Sequence, residues 1–160
     1  MGTSTILAAM LALSSVVPTG TSTPEGKQEK TPEHQVVAIY FHRTERCPTC
    51  RRIGARAEEA VNKGFAKESK TRAVGFHFVD FQDKKNAKLT KAYRIESPTL
   101  VLLSVFEGQA VCGTSLPRVW RLVGKPEEFR AYVHDGVVQY LQQTKEEAET
   151  EREKSKDSKE

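Results

Sequence analysis

Two cysteines three positions apart, Cys47 and Cys50, have the clearest chemical potential in the sequence. A Cys-x-x-Cys pair either exchanges disulfides or supplies half of the ligands of a metal site. A structural zinc site needs four ligands, which usually come from a second such pair or from closely spaced histidines. The third cysteine, Cys112, stands alone, and the histidines show no metal-ligand spacing; they are His34, His42, His77 and His134. The ligand count favours a redox pair and predicts neither a metal site nor a cofactor.

The composition indicates one small domain with polar ends. The chain has 160 residues, of which 38% are hydrophobic and 29% are charged, and its formal net charge is +4. This length suits a single domain. Acidic residues are mixed among the basic ones, and the sequence has no lysine- and arginine-rich block with interleaved aromatic residues. We therefore expect no nucleic acid among the partners.

The two ends of the chain differ from its middle. Residues 6–17 are an apolar run as long as the hydrophobic region of a signal peptide, and shorter than the roughly 20 residues of a membrane span. No lysine or arginine precedes this run, which makes the signal atypical, and an N-terminal helix packed on the domain is the alternative. We expect a signal peptide at 1–22, a linker at 23–32, and a periplasmic or secreted protein without a stable membrane span. Residues 144–160 contain one apolar residue, Ala148, and predict a charged, disordered tail.

Between these ends, residues 33–143 alternate between strand and helix patterns. The predicted elements are a strand at 36–41, a helix at 51–65, a strand at 73–81, a helix at 83–93, a strand at 99–105, a strand at 118–123 and a helix at 127–142. The first two strands should be parallel and the last two should form a hairpin. The predicted fold is α/β, with a central mixed sheet of about four strands flanked by helices in the order β-α-β-α-β-β-α. The cysteine pair then lies where the first strand ends and the first helix begins.

That junction assigns different roles to the two thiols. The thiolate is the reactive form of cysteine, so a working site must lower a cysteine pKa from its usual value of about 8.5. Cys47 is expected just before the helix, where unpaired backbone N–H groups and the helix dipole favour negative charge. It is the expected nucleophile, and Cys50, enclosed in the first turn, is the expected resolving thiol. Arg46 and Arg51 add positive charge nearby, which would also stabilise a thiolate.

The order of elements, the Cys-x-x-Cys at the first strand–helix junction and Pro98 before the third strand together resemble the thioredoxin superfamily. The resemblance covers most of residues 33–143. It implies exchange of disulfides with protein substrates and with a redox partner that the sequence does not identify. In that family the matching proline is cis and faces the dithiol, and the residue before it offers its backbone to the substrate chain. The corresponding residues here are Pro98 and Ser97.

The residues around the dithiol depart from the thioredoxin pattern. Pro48 suits the first turn of a helix, and Pro48 followed by Thr49 is closer to glutaredoxin-like and DsbA-like pairs than to the Gly-Pro of thioredoxins. Arg46 replaces the tryptophan that precedes the first cysteine in thioredoxins. Phe41 replaces the buried acid that serves them as a proton carrier. These departures argue against the role of a cytosolic thioredoxin.

The sequence therefore predicts an exported thiol–disulfide oxidoreductase, with no prediction for the direction of electron flow or the oligomeric state. One alternative is a redox-inactive binding module in which Cys47 and Cys50 form a structural disulfide. Another is a carrier of a soft metal such as Cu(I), held by the two thiolates. Cys112 is expected in the connection between the last two strands, as an inert thiol.

Overall fold

The computed structural model describes residues 32–157, which form an α/β domain around a four-stranded mixed sheet with strand order β2-β1-β3-β4. The strands are β1 (His34–His42), β2 (Val74–Asp80), β3 (Thr99–Phe106) and β4 (Gln109–Ser115). The helices are α1 (Pro48–Gly64), α2 (Ala66–Lys70), α3 (Ala87–Ala92, preceded by the 3₁₀ turn Lys84–Asn86), α4 (Val119–Leu122), α5 (Pro126–Leu141) and α6 (Lys145–Asp157). The predicted signal peptide and all but the last residue of the predicted linker lie outside the described residues.

Strand β1 is the centre of the domain. It runs parallel to β2, as predicted, and antiparallel to β3. Because it is central, its side chains are buried on both faces: Tyr40 packs in the main core with α1 and α5, and Phe41 packs in a smaller core on the opposite face. The continuous apolar run of this strand reflects that double burial. The predicted mixed sheet of four strands with flanking helices is confirmed.

The partner of β3 in the hairpin is β4, so the strand predicted at 118–123 is wrong. A two-residue turn joins the strands, and Glu107 (φ 51°) and Gly108 (φ 78°) both adopt the left-handed conformation that the favoured hairpin turns require. The chain therefore reverses directly into β4. Residues 118–123 instead contain α4, whose Val119 and Leu122 are buried three positions apart on one side of the helix.

The predicted disordered tail is also wrong over most of its length, because residues 145–157 form helix α6. The helix begins with a reciprocal cap: the amide of Glu147 donates to the Thr144 hydroxyl at 3.2 Å, and the amide of Thr144 donates to the Glu147 carboxylate at 2.9 Å. Ala148 is fully buried in the main core. Glu151 accepts a hydrogen bond from the Tyr140 hydroxyl at 2.6 Å. One small buried apolar side chain and a partly buried hydrogen bond thus hold this helix on the domain.

Helix α5 carries the apolar face that its periodicity predicts, with Phe129, Val133, Val137 and Tyr140 buried. This face covers the same side of the sheet as α1. No helix within residues 32–157 has the length and apolar character needed to cross a membrane.

Because α6 packs on the domain, a new negative charge should lower the free energy of unfolding at a buried position of this helix and have little effect at an exposed one. Ala148→Asp places a carboxylate in the core and should lower the free energy of unfolding by about 3 kcal/mol. Thr150→Asp adds the same charge at an exposed position of the same helix and should change it by less than about 0.5 kcal/mol. Urea unfolding followed by circular dichroism measures both values. Equal effects of the two substitutions would show that α6 does not pack on the domain.

Candidate functional site

The cysteine pair lies at the N-terminus of α1, directly after the central strand. Cys47 is the N-cap residue, and its Sγ accepts a hydrogen bond from the backbone amide of Cys50 at 3.2 Å. Pro48 occupies the first position of the helix, where a missing N–H costs little. Cys50 follows in the first turn. The predicted position of both thiols is confirmed.

The loop that leads from β1 to the cysteines is fastened to the neighbouring strand β2. The amide of Phe81 donates to the His42 carbonyl at 2.9 Å, and the amide of Thr44 donates to the Gln82 side-chain oxygen at 3.1 Å. A hydrogen bond from the Thr44 side chain is also the main cause that lowers the pKa of Asp80 at the end of β2. The loop is thus anchored to β2, which fixes where α1 begins.

The two thiols are free, close together and unequally exposed. Their Sγ atoms share a hydrogen bond at 2.7 Å, with Cys47 exposed and Cys50 only 8% exposed. A disulfide has an S–S distance of about 2.05 Å. The pair can therefore close into a disulfide with a small movement, and Cys47 is the thiol that a sulfur of another molecule can approach.

The hydrogen bonds and burial of the site shift the two thiols in opposite directions. The hydrogen bond with the Cys50 thiol, followed by the one from the Cys50 amide, lowers the pKa of Cys47. Burial raises the pKa of Cys50, and its hydrogen bond to Cys47 adds to that effect. The site therefore favours a thiolate at the exposed position and a thiol at the buried one, which is the division of roles expected for a nucleophile and a resolving cysteine.

The arginines near the pair have a smaller part in this shift than the sequence suggests. The guanidinium of Arg46 lies over the ring of Phe78, 5.2 Å from its centroid, in a cation–π contact. Arg51 is exposed in the first turn of α1. Together with Phe78 they line a shallow depression of about 450 Å³ beside the dithiol. Hydrogen bonds, rather than these charges, have the largest effect on the pKa of Cys47.

Ser97 and Pro98 lie at the same edge of the sheet as the dithiol loop, because the next residue, Thr99, pairs with Phe41 of β1. The cis proline implied by the resemblance is absent: every peptide bond within residues 32–157 is trans. The trans form is the lower-energy one for most X–Pro bonds. The Pro98 carbonyl is held in place by a hydrogen bond from the indole N–H of Trp120 at 3.2 Å. Ser97 is exposed, and its proposed backbone contact with a substrate stays a prediction.

Phe78 and Trp120 are functional candidates that the sequence did not single out. They are 38% and 39% exposed and are the large hydrophobic side chains left accessible in the described part of the chain. Phe78 pairs with Tyr40 near the end of β1, and Trp120 contacts Pro98, so both lie toward the edge that carries the dithiol. In the sequence both resemble ordinary strand residues, and their exposure follows only from the tertiary structure.

A larger cleft of about 1060 Å³ is not lined by the dithiol. Ser97, Tyr93, Ile95 and Arg152 are among the residues that line it, whereas Cys47 and Cys50 are not. Cys112 also lines this cleft, but burial raises the pKa of its thiol, so the surface beside the dithiol is the better candidate site. No group of three or more histidine, cysteine or acidic side chains within residues 32–157 is arranged to hold a metal ion.

Cys112 belongs to strand β4, opposite Ser104, and not to a connection between strands as predicted. Its side chain is buried and its Sγ donates a hydrogen bond to the Gln143 side-chain oxygen at 3.4 Å. Burial raises the pKa of Cys112 to about 11. The expected inert character of this thiol is consistent with such an environment.

The opposite pKa shifts predict selective alkylation of Cys47. At pH 7 iodoacetamide should modify Cys47 before the other cysteines, with a half-maximal rate at a pH below the usual thiol value of about 8.5. Cys50→Ala removes the thiol that favours the Cys47 anion and should move this midpoint upward. Mass spectrometry of the alkylated peptides across a pH series measures both effects. An unchanged midpoint in Cys50→Ala would contradict the assigned cause.

The burial of Cys112 predicts a thiol that is masked by the fold. In the native protein it should remain unmodified while Cys47 reacts, and in guanidinium chloride the two should react at similar rates because both then have ordinary pKa values. The same peptide analysis gives the rates. Rapid native-state modification of Cys112 would show that α6 and β4 open readily.

Comparisons with known proteins add no family assignment to this geometry. Neither the models of known protein families nor the curated protein sequences give a match to the chain. The chemistry of the site must therefore be inferred from the arrangement of its own residues. That arrangement is an exposed thiol with a lowered pKa and a buried thiol within bonding reach, at the N-terminus of a helix.

Proposed function

We propose that this protein is a thiol–disulfide oxidoreductase that exchanges disulfides with protein substrates through Cys47 and Cys50. The observation that carries the proposal is the position of the exposed, N-capping Cys47 thiol 2.7 Å from the buried Cys50 thiol. A thiol that only stabilises a fold gains nothing from exposure or from a lowered pKa. Both properties are useful to a nucleophile that must meet the sulfur of another molecule.

The exchange proceeds in two balanced steps. The Cys47 thiolate attacks one sulfur of a substrate disulfide, a Cys47–substrate bond forms, and the other substrate sulfur leaves with the electron pair and takes up a proton. The Cys50 thiol then loses its proton and attacks Cys47 Sγ. The Cys47–Cys50 bond forms and the second substrate sulfur leaves as a thiolate. The substrate gains two electrons and the pair loses two, and the reverse sequence oxidises a substrate dithiol.

A protein substrate is favoured by the surface around the dithiol. The exposed rings of Phe78 and Trp120 and the exposed residue Ser97 lie toward the same edge of the sheet. Exposed aromatic side chains next to backbone groups suit an extended polypeptide, whose apolar side chains and amides can use both. A small disulfide such as oxidised glutathione would leave most of this surface without a contact.

The fold supports the same proposal in finer detail. The parallel β1–β2 pair, the antiparallel β3–β4 hairpin, the dithiol between β1 and α1 and the proline before β3 agree with a thioredoxin-like domain. The trans bond at Pro98 is a departure from that pattern. Export to the periplasm or the cell exterior belongs to the proposal too. It depends on the apolar run at residues 6–17, which lies outside the described residues.

Reduction of insulin disulfides by dithiothreitol tests the proposed activity. The native protein should accelerate the reaction, and Cys47→Ser should reduce the rate to that of dithiothreitol alone because the attacking sulfur is lost. Cys112→Ser is the matched control: it removes a thiol outside the pair, and turnover should stay at the native level. Full activity of Cys47→Ser would refute the assigned nucleophile.

The reduction potential of the pair separates exchange from a structural bridge. Equilibration in glutathione buffers should place the Cys47–Cys50 potential above about −300 mV, in the range of catalytic pairs. A more negative value, with no turnover of insulin, would favour the redox-inactive binding module. Stoichiometric Cu(I) binding that is lost in Cys50→Ser, again without turnover, would favour the metal carrier.

A further inference from the structure

We propose that the hydroxyl group of Tyr40 donates a hydrogen bond to the Cys50 thiolate when this thiolate attacks the mixed disulfide, and that it thereby accelerates the second step of exchange. This inference rests on the proposed function and adds a residue to its mechanism. It arises from the Tyr40 hydroxyl oxygen, a buried polar atom.

Tyr40 presents an unpaired hydroxyl inside the main core. The residue is 0% exposed, and its hydroxyl oxygen has no hydrogen-bond partner within the described residues. Burial of an unpaired hydroxyl is costly, and native proteins rarely retain one without a reason. A partner that appears only during the reaction would provide such a reason.

The ring of Tyr40 lies against the face of α1 that carries Cys50. A Cβ atom at Gly54 would lie 3.0 Å from Tyr40 Cδ1 and 3.1 Å from Cε1, so the ring packs directly on the helix at this glycine. Gly54 follows Cys50 by four residues, which is about one helical turn, and the two share a face. The buried resolving thiol and the buried phenol are therefore neighbours.

The effect of the dithiol on the pKa of Tyr40 agrees with this position. Burial raises the pKa of Tyr40 most, followed by the charges of Cys50 and Cys47; Arg46 opposes them, and the Cys50 sulfur, as a hydrogen-bonding neighbour, adds to the rise. A tyrosine with a raised pKa keeps its proton at neutral pH. Tyr40 can therefore act as a hydrogen-bond donor to an anion, and it cannot act as the base that removes the Cys50 proton.

The need for this donor arises in the second step. In the reduced protein, the thiol of Cys50 is engaged with Cys47. Once Cys47 is bonded to the substrate it carries no charge, and Cys50 must become a thiolate in a site where burial disfavours one. A hydrogen bond from the Tyr40 hydroxyl lowers the cost of that charge. The Cys50 thiolate then bonds to Cys47 Sγ as the substrate sulfur leaves with the electron pair of the broken bond.

Tyr40→Phe tests the inference, because it removes the hydroxyl and keeps the ring. The thiolate absorbance of Cys50 can be titrated in a Cys47→Ala/Cys112→Ser background, with and without Tyr40→Phe. Loss of a hydrogen bond to a charged group should move the midpoint up by about one pH unit. Tyr93→Phe, a half-buried tyrosine on the opposite face of the sheet, should leave it unchanged.

A stopped-flow experiment resolves the two steps. The reduced protein, with Cys47 and Cys50 both present, is mixed with one equivalent of Ellman's reagent. The first release of thionitrobenzoate reports attack by Cys47, and the second reports attack by Cys50. A tenfold loss of thiolate, partly offset by the higher nucleophilicity of a more basic thiolate, should slow the second release about threefold. The first release should keep its rate in Tyr40→Phe, and thermal unfolding of each variant checks that the fold is intact.

The outcomes separate this inference from the proposed function. A native protein that releases no thionitrobenzoate through Cys47 would refute the oxidoreductase itself. A normal first release, with an unchanged second release and an unchanged Cys50 midpoint in Tyr40→Phe, would overturn the role of Tyr40 and leave the oxidoreductase standing. A slower second release together with the raised midpoint supports the hydrogen bond.

Discussion

The close approach of α1 to the central strand is the contact on which the rest of the dithiol site depends. Gly54 makes it possible, because a Cβ atom at this position would lie 2.8 Å from Phe78 Cε1 and 3.0 Å from Tyr40 Cδ1. Any larger residue would push the helix outward or displace these rings. With the helix this near, its first turn reaches the core and encloses Cys50, while Cys47 stays at the rim. The unequal exposure of two thiols only three residues apart is thus set by one backbone contact deeper in the helix.

That inequality turns a symmetric pair of side chains into two different chemical groups. Burial opposes charge on Cys50, whereas hydrogen bonds with the Cys50 thiol and then with the Cys50 amide favour it on Cys47. The arginines that flank the pair are not the main source of this difference. Arg46 instead stacks on Phe78, where it helps to shape the surface beside the reactive sulfur. Burial and hydrogen bonding, more than the nearby arginines, therefore set the pKa values of the two thiols.

The parts of the structure that could be predicted from the sequence are those with a strong local signal. The apolar run of β1, the helical spacing after Cys47 and the amphipathic pattern of α5 each identify an element without knowledge of its neighbours. The strand predicted at 118–123 is wrong because the apolar content of this segment, including Trp120, suggests a strand, whereas the three-residue spacing of the buried Val119 and Leu122 suits a helix. Helix α6 was missed because its apolar content is a single alanine. The capping pattern of Thr144 and Glu147 predicts the start of a helix here, but apolar content alone does not take it into account. The unpaired hydroxyl of Tyr40 could not be predicted, since it depends on which helix covers the strand.

The contact between Trp120 and Pro98 gives the protein a natural optical reporter. Trp120 is the one tryptophan of the 160-residue chain, and its indole N–H is bonded to a carbonyl at the edge that carries the dithiol. Indole emission responds to changes in hydrogen bonding and in solvent access. The tryptophan fluorescence of the unlabelled protein therefore comes from this one edge of the sheet. Docking of the proposed substrate, or a change in the oxidation state of the pair, should be visible there without an added dye.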